Sequence, residues 1–229
     1  MQKLNPSNFV GPSRSRGHGR PRSLHPYLMP PYQIMIISFI GFMGCGKSSV
    51  GRRLSELLCC PFMDLDTVIE QQTSRTIPEI FATEGEAAFR QIELETLRSI
   101  IQSSTAAGRI QKESLSSPME FSVLSLGGGT VVTPKCAELV KENTVCIYLK
   151  ASVDTLVERL TEEAASRPLL DTCLTAQTPE SRKTALRERI ETLMGKRAAT
   201  YEETANHIIE IDCLSLDVIA KQIISIISQ

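Results

Sequence analysis

Short apolar runs alternate along the chain with segments whose apolar residues recur every three to four positions. This alternation is typical of a parallel sheet covered by helices, because such strands are buried on both faces. The runs that predict strands span residues 35–40, 61–64, 122–126, 145–149 and 207–211. We therefore expect an α/β fold with three layers, α/β/α, around a five-stranded parallel sheet.

Amphipathic patterning places helices between these strands. In segment 47–58, Val50, Leu54, Leu57 and Leu58 share one face, which predicts a helix packed on the sheet. The other predicted helices span 85–101, 134–141, 152–160, 184–198 and 214–227. Two polar stretches, 103–120 and 171–183, interrupt this regularity.

Residues 1–33 differ from the remainder of the chain. The segment is rich in proline, glycine, serine and arginine and has no acidic residue, since the first carboxylate is that of Glu56. Such a composition cannot bury enough apolar surface to offset the entropy of ordering. We expect a disordered basic extension or a misassigned start upstream of Met29 or Met35, and an Arg-rich transit peptide is a further alternative.

Composition predicts that residues 34–229 form one domain with small-molecule partners. The chain has 229 residues, of which 41% are hydrophobic, and a formal net charge of -1. No global field would attract nucleic acid or an acidic membrane, and the apolar run 34–45 is too short to span a bilayer. The seven cysteines are odd in number and never spaced C-x-x-C, which favours a reducing compartment, the cytoplasm, over a disulfide framework or zinc site.

One segment carries a recognisable chemical motif. The run from Gly41 to Ser48 reads G-F-M-G-C-G-K-S, and it joins a predicted strand to a predicted helix, as a phosphate-binding loop must. Its glycines let backbone N–H groups approach phosphate oxygens, and the next helix turns its positive end to the anion. The motif predicts ATP bound by residues 44–49, with Lys47 on the β- and γ-phosphates, Ser48 on Mg²⁺ and Ser49 on a phosphate oxygen.

Two carboxylates follow the second predicted strand. Asp64 and Asp66 lie at the carboxyl edge of the sheet, where open α/β folds bind ligands. A D-x-D at this place can also cap the next helix. If the strand end is extended, the two side chains point to opposite faces, so we expect one carboxylate to face the metal and the other to face the acceptor hydroxyl. The assignment of Asp64 to the metal, through water, and of Asp66 to the hydroxyl rests partly on the family resemblance described next.

An ordered set of motifs resembles the shikimate kinase family, whose members are small P-loop enzymes of the nucleoside-monophosphate-kinase-like group. After the loop and the D-x-D come I-P-E-I-F at 77–81, G-E-x-x-F-R-x-x-E at 85–93, G-G-G at 127–129, R-P-L-L at 167–170 and R-x-x-x-Y at 197–201. Together they cover most of residues 34–229. Their order makes the resemblance specific.

The resemblance implies an ATP- and Mg²⁺-dependent enzyme that phosphorylates the 3-hydroxyl of shikimate in chorismate and aromatic amino-acid biosynthesis. It implies shikimate binding by Asp66, the glycines 127–129 (above all Gly128), Arg90 and Arg197, with the two arginines on the carboxylate. A guanidinium group fits a carboxylate with two parallel hydrogen bonds, which agrees with this assignment. Glu93, three residues after Arg90, is expected to orient it.

Arg167 resembles the family's lid arginine, and the resemblance implies a lid over about 160–183 that closes on ATP and excludes water. The long polar stretches 103–120 and 171–183 and the extension before residue 34 depart from the compact family pattern. The catalytic residues expected on this basis are Asp66, Lys47 and Arg167. Family members are typically monomers, and we expect the same here.

Two other functions remain open from the sequence. A related small-molecule kinase such as gluconate kinase would share the loop and also take a carboxylate-bearing acceptor. A nucleotide-binding regulatory module without turnover would need the loop but none of the acceptor groups. The triple glycine and the D-x-D favour shikimate, and the presence of Asp66, Arg90 and Arg197 favours an enzyme.

Overall fold

The computed structural model describes residues 34–107, 120–163 and 179–228. Its strands are β1 (Ile34–Ile40), β2 (Phe62–Asp64), β3 (Glu120–Ser125), β4 (Val145–Lys150) and β5 (His207–Glu210). Its helices are α1 (Lys47–Leu58), α2 (Leu65–Thr73), α3 (Ile77–Ala107), α4 (Pro134–Asn143), α5 (Val153–Glu163), α6 (Pro179–Thr204) and α7 (Leu216–Ile227). A short 3₁₀ turn, Thr130–Val132, precedes α4.

The five strands form one parallel sheet in the order β2-β3-β1-β4-β5. All five predicted strands are present, each within two residues of its expected bounds, and the expected fold class is confirmed. The register aligns the carboxyl ends of three strands, because Phe39 pairs with Ser125 and Ser125 pairs with Asp64. The loops after β1, β2 and β3 therefore leave the sheet at the same edge.

Helices cover both faces of the sheet. Ile37 and Phe39 of β1 pack with residues of α1, α5 and α7, whereas Ile36 and Ile40 pack with residues of α2, α3 and α4. This alternation follows from the two-residue period of a strand. It gives the three layers that the sequence predicts.

Helix α6 contributes to both hydrophobic cores. Leu186 and Ile190 in its first half belong to the core with α1, and Tyr201 near its end belongs to the core with α3. Its expected range, 184–198, was too short at both ends, and part of the polar stretch 171–183 is helical. The described part of the chain excludes residues 1–33, 108–119, 164–178 and 229. The rest of the polar stretch, 171–178, is among these residues.

Two helical segments on the acceptor side were not predicted. One is α2, and the other is the part of α3 from Ile77 to the break at Gly85, where φ is 82°; the helix predicted from residue 85 follows this break and extends to Ala107. The start of α3 is fixed by a capping box: Thr76 N–H donates to Glu79 Oε2 (2.8 Å), and Glu79 N–H donates to Thr76 Oγ1 (3.4 Å). The T-x-x-E signature was therefore present in the sequence.

Within the described ranges, the chain has no helix with both the length and the apolar character needed to cross a membrane.

The packing of α1 gives a stability prediction with an internal control. The Leu54 side chain is fully buried, whereas Leu57 on the same helix is 38% exposed. Leu54→Ala should lower the free energy of unfolding by about 2–5 kcal/mol, because it leaves a cavity in the core. Leu57→Ala should cost less than about 1 kcal/mol. Urea unfolding of both variants tests this, and equal losses would contradict the described orientation of α1.

Candidate active site

The loop between β1 and α1 is built for an anion. Gly44 and Gly46 have φ of 79° and 89°, a left-handed region that favours glycine. Gly46 is the N-cap of α1, and the first turn of α1 has no acidic side chain. The helix therefore places no acidic side chain of its own at its positive end, which can attract a phosphate group.

Lys47 is buried beneath this loop. Its Nζ donates to the carbonyl oxygens of Gly41 and Phe42, each at 3.0 Å, and lies 3.9 Å from Cys45 Sγ. The Cys45 N–H donates to Phe42 O within the loop. The lysine thus places a positive charge directly under the expected phosphate position, with neutral partners that an anion can replace.

Ser48 and Asp64 meet at the edge of the sheet. Ser48 Oγ donates to Asp64 Oδ2 at 2.6 Å and lies 3.3 Å from Ser125 Oγ. Asp64 is also the N-cap of α2, and its Oδ1 accepts from the backbone N–H groups of Asp66 and Thr67. The helix-capping alternative for the D-x-D therefore applies to Asp64.

Asp66 belongs to the first turn of α2, so the expectation that both aspartates extend from the strand was wrong. Both side chains line the cavity, but they differ in their bonds, because Asp64 caps the helix through backbone N–H groups. Burial raises the pKa of Asp66 to about 6, and the charges of Asp64 and Glu93 add to this while Lys47 opposes it. Asp66 is therefore mostly ionised at neutral pH and becomes neutral as the pH falls below about 6.

Arg90 is held by an ion pair on α3. Its Nη1 donates to Glu93 Oε2 at 2.8 Å, and Glu93 is only 1% exposed. Its Nη2 lies 3.3 Å from Glu86 Oε1 at the surface. Gly129 faces the same group, since a methyl group added there would lie 2.7 Å from Arg90 Nη2. The predicted pairing of Arg90 with Glu93 is present, and the triple glycine leaves room for the guanidinium group.

Arg197 reaches the triple glycine from α6. Its Nη1 donates to Gly128 O at 3.3 Å, and the Tyr201 hydroxyl donates to the same carbonyl oxygen. Tyr201 is fully buried and packs against Tyr148 with ring centroids 5.2 Å apart. Burial of Tyr201 thus fixes the last turns of α6, and Arg197 faces the end of β3.

These groups line one cavity of about 580 Å³. The sequence-predicted residues that line it are Gly44, Gly46, Lys47, Ser48, Ser49, Asp64, Asp66, Arg90, Gly127, Gly128, Gly129 and Arg197. Cys45 is buried beneath the loop and does not line the cavity. Arg167 lies outside the described residues.

The structure adds residues to the site that the sequence analysis did not select. Arg159 of α5 donates from Nη1 to the carbonyl oxygens of Gly44 and Cys45, at 3.5 and 3.3 Å. Phe81 and Phe89, with ring centroids 4.7 Å apart, form an apolar wall of the cavity near Arg90. Phe81 and Phe89 lie within the motifs quoted above, so the sequence could have indicated them. Arg159 is a single arginine on an amphipathic helix, and no local pattern marks it as a site residue.

Two groups of residues with different chemistry line the cavity. The loop, Lys47 and the N-terminus of α1 can bind a polyanion such as the phosphates of a nucleotide. Arg90 and Arg197, which line the same cavity, can bind a carboxylate. Asp66 lines the same cavity as the loop and the two arginines. The site can therefore hold two substrates next to a group able to accept a proton.

Comparisons with known proteins agree with this arrangement. The family model described as shikimate kinase matches residues 43–228. A shikimate kinase of Dictyoglomus turgidum is 36% identical over 190 residues, which cover 82% of this chain and 94% of that protein.

Solved structures give the same result. The shikimate kinase of Acinetobacter baumannii in complex with shikimate superposes with a TM-score of 0.67 and 29% identity, over 86% of this chain and 94% of the other. The shikimate kinase of Bacteroides thetaiotaomicron superposes with a TM-score of 0.68 and 26% identity, over 85% and 99%. The chain belongs to the shikimate kinase family.

Proposed function

We propose that the chain transfers the γ-phosphoryl group of ATP to the 3-hydroxyl of shikimate, giving ADP and shikimate 3-phosphate, in chorismate and aromatic amino-acid biosynthesis. The observation that carries this proposal is one cavity lined by a phosphate-binding loop, by two arginines and by Asp66. Membership of the shikimate kinase family supports the same reaction.

On the nucleotide side, the backbone of the loop and Lys47 bind the phosphates. The ammonium group leaves the carbonyl oxygens of Gly41 and Phe42 for phosphate oxygens, which are better partners for a cation. Ser49 is exposed at the mouth of the loop and donates to a phosphate oxygen. Arg159, which already contacts the loop carbonyls, adds positive charge on the same side.

The residues present fit Mg²⁺. Ser48 Oγ and Asp64 Oδ2 are oxygen donors 2.6 Å apart, beside the anion loop, and magnesium prefers a few such oxygens plus phosphate and water. Ser48 would bind the ion directly, and Asp64 through water. When bound, Mg²⁺ neutralises charge on the transferring phosphoryl group.

On the acceptor side, Arg90 and Arg197 bind the carboxylate of shikimate and Gly127–Gly129 permit its close approach. Asp66 accepts the proton of the 3-hydroxyl as the hydroxyl oxygen bonds to the γ-phosphorus and the bond to the β–γ bridging oxygen breaks. A base with a pKa of about 6 suits this step, because it is ionised at neutral pH yet basic enough to hold the proton. The enzyme contributes mainly position and charge.

The alternatives are less well supported. A sensor without turnover would not need Arg90 and Arg197 in the cavity that the nucleotide loop lines. Gluconate kinase would also use the arginines, but the apolar wall of Phe81 and Phe89 suits a ring better than a fully hydroxylated chain.

Further parts of the proposal concern the whole protein. We propose that it acts as a monomer, since one chain supplies every described group of the site, and in the cytoplasm, as the cysteine usage favours. Residues 34–229 form the catalytic domain, the segment 160–183 acts as its lid with Arg167 over ATP, and residues 1–33 are an extension without a catalytic part. Light scattering of the purified chain tests the monomer, and activity of a 34–229 truncation tests the extension.

An acceptor panel tests the reaction. Coupled measurement of ADP release with shikimate, gluconate and nucleoside monophosphates should give turnover with shikimate at least about 100-fold above the others in kcat/KM. EDTA should abolish the turnover and added Mg²⁺ should restore it. Comparable turnover with gluconate, or ATP binding without ADP release for any acceptor, would overturn the proposal.

Asp66→Asn tests the role of the carboxylate. The amide keeps the shape of the side chain but cannot accept the proton, so kcat should fall by about 10²- to 10⁴-fold while the Kd for ATP changes little. Asp154→Asn, at an exposed position of α5 in an ion pair with Arg187, is the matched control and should retain activity. Near-normal turnover by Asp66→Asn would remove Asp66 from the mechanism.

Arg197→Ala tests the acceptor end. Loss of a charged hydrogen-bonding partner should raise KM for shikimate by about 10- to 100-fold and leave KM for ATP within about 3-fold. Arg189→Ala, an exposed arginine on the same helix, controls for loss of positive charge from α6. Equal effects of Arg197→Ala on both KM values would contradict a role specific to shikimate.

A further inference from the structure

Thr130 directly follows the triple glycine and is completely buried. Its Oγ1 donates to Glu93 Oε1 at 2.6 Å, in a buried contact between residues 37 positions apart in the chain. A donor to a charged acceptor forms a strong hydrogen bond when both are shielded from water. Thr130 is therefore a specific partner of the carboxylate that holds Arg90.

Glu93 uses its two oxygens for different tasks. Oε1 accepts from Thr130, and Oε2 accepts from Arg90 Nη1 at 2.8 Å. Because Glu93 is only 1% exposed, water cannot easily replace a missing donor. Without the threonine hydroxyl, Oε1 of Glu93 would lack its donor. The carboxylate would then have to rotate, or both of its oxygens would have to accept from Arg90, and either change would redirect the guanidinium group.

The space around Arg90 makes its direction sensitive to such a change. Gly129 confines the guanidinium on one side, since a methyl group at that position would lie 2.7 Å from Arg90 Nη2. The Nη1 of Arg90 donates to Glu93 Oε2 at 2.8 Å, and its Nη2 also lies 3.3 Å from Glu86 Oε1 at the surface. Thr130 belongs to the same turn as Gly129, and its N–H donates to Gly127 O at 3.1 Å. One turn therefore limits Arg90 sterically and also anchors its counterion.

Thr130 also lies close to Asp66. A methyl group added at Gly127 would lie 3.1 Å from Thr130 Oγ1 and 2.9 Å from Asp66 Oδ1, so the hydroxyl and this second carboxylate border the same small space. A hydroxyl has one proton to donate, and here Glu93 receives it. Asp66 is left to the acceptor.

We infer that Thr130 is a positioning residue that sets the direction of Arg90 through Glu93 and thereby the affinity of the site for the acceptor's carboxylate. The inference rests on the proposed function, since it takes that carboxylate to be the one on shikimate. Thr130 itself would contact neither substrate. The effect falls on acceptor binding, and the phosphoryl-transfer step is affected less.

Two substitutions at this position separate the hydroxyl from the shape of the side chain. Thr130→Val has nearly the same volume but no donor, and it should raise KM for shikimate about 10-fold while KM for ATP stays within about 2-fold. Thr130→Ser keeps the donor and should stay within about 3-fold of the parent for shikimate. A merely structural role would instead give parallel losses in both variants, together with lower thermal stability.

A double-mutant cycle tests whether Thr130 acts through Arg90. In an Arg90→Ala background, Thr130→Val should change KM for shikimate by less than about 2-fold, because the group that it positions is gone. A full 10-fold effect in that background, or a Val variant that matches the parent, would overturn the inference. Circular dichroism melting of each variant checks that it is folded.

Failure of the proposed function would be distinct from these outcomes. In that case the parent chain itself would release no ADP with shikimate, and no variant could be ranked. A parent enzyme that turns over shikimate with Val and Ser variants equal to it refutes the role of Thr130 alone.

Discussion

The parallel pairing of β1, β3 and β2 is the constraint on which the site depends. Because Phe39 lies opposite Ser125 and Ser125 opposite Asp64, the three following loops start side by side. A shift of one residue in this register would turn every side chain of a strand to the other face of the sheet and bury the wrong set. Alternate side chains of β1 pack closely into two different cores, and this specific packing opposes that shift. The same burial that stabilises the fold thus fixes where phosphate, metal and acceptor groups can meet.

Several charged side chains line the site. Two of the carboxylates, those of Asp64 and Glu93, accept hydrogen bonds from different donors. The Asp64 carboxylate accepts from Ser48 and two backbone N–H groups, and the Glu93 carboxylate accepts from Arg90 and Thr130. Burial and these two neighbouring charges raise the pKa of Asp66. Three carboxylates in one region therefore differ in environment, and this difference supports a division into a metal ligand, an arginine anchor and a base.

Helix α6 brings an acceptor group from a distant part of the chain. Its first half packs into one core through Ile190 and its end packs into the other through Tyr201, so both parts of the helix are held in place. Arg197 lies between these two residues on the helix, and its bond to Gly128 O joins residues 69 positions apart. The apolar packing of α6 is therefore what makes a surface-type residue part of the site.

The sequence by itself determined the sheet, the phosphate-binding loop and most helices. The strands follow from local apolar runs, and all the groups of the loop lie within eight consecutive residues, so no distant contact is needed to recognise it. The sequence analysis did not predict α2, which is short and buries only Leu65 and Ile69, nor the part of α3 before the break at Gly85, although the capping box at Thr76 marks its start. The family resemblance selected Arg90 and Arg197, but only the tertiary structure brought them to one cavity, added Arg159 and gave Thr130 its buried partner. These contacts join residues that are far apart in the chain, and no local pattern records which distant groups the packing of helices on a sheet will bring together.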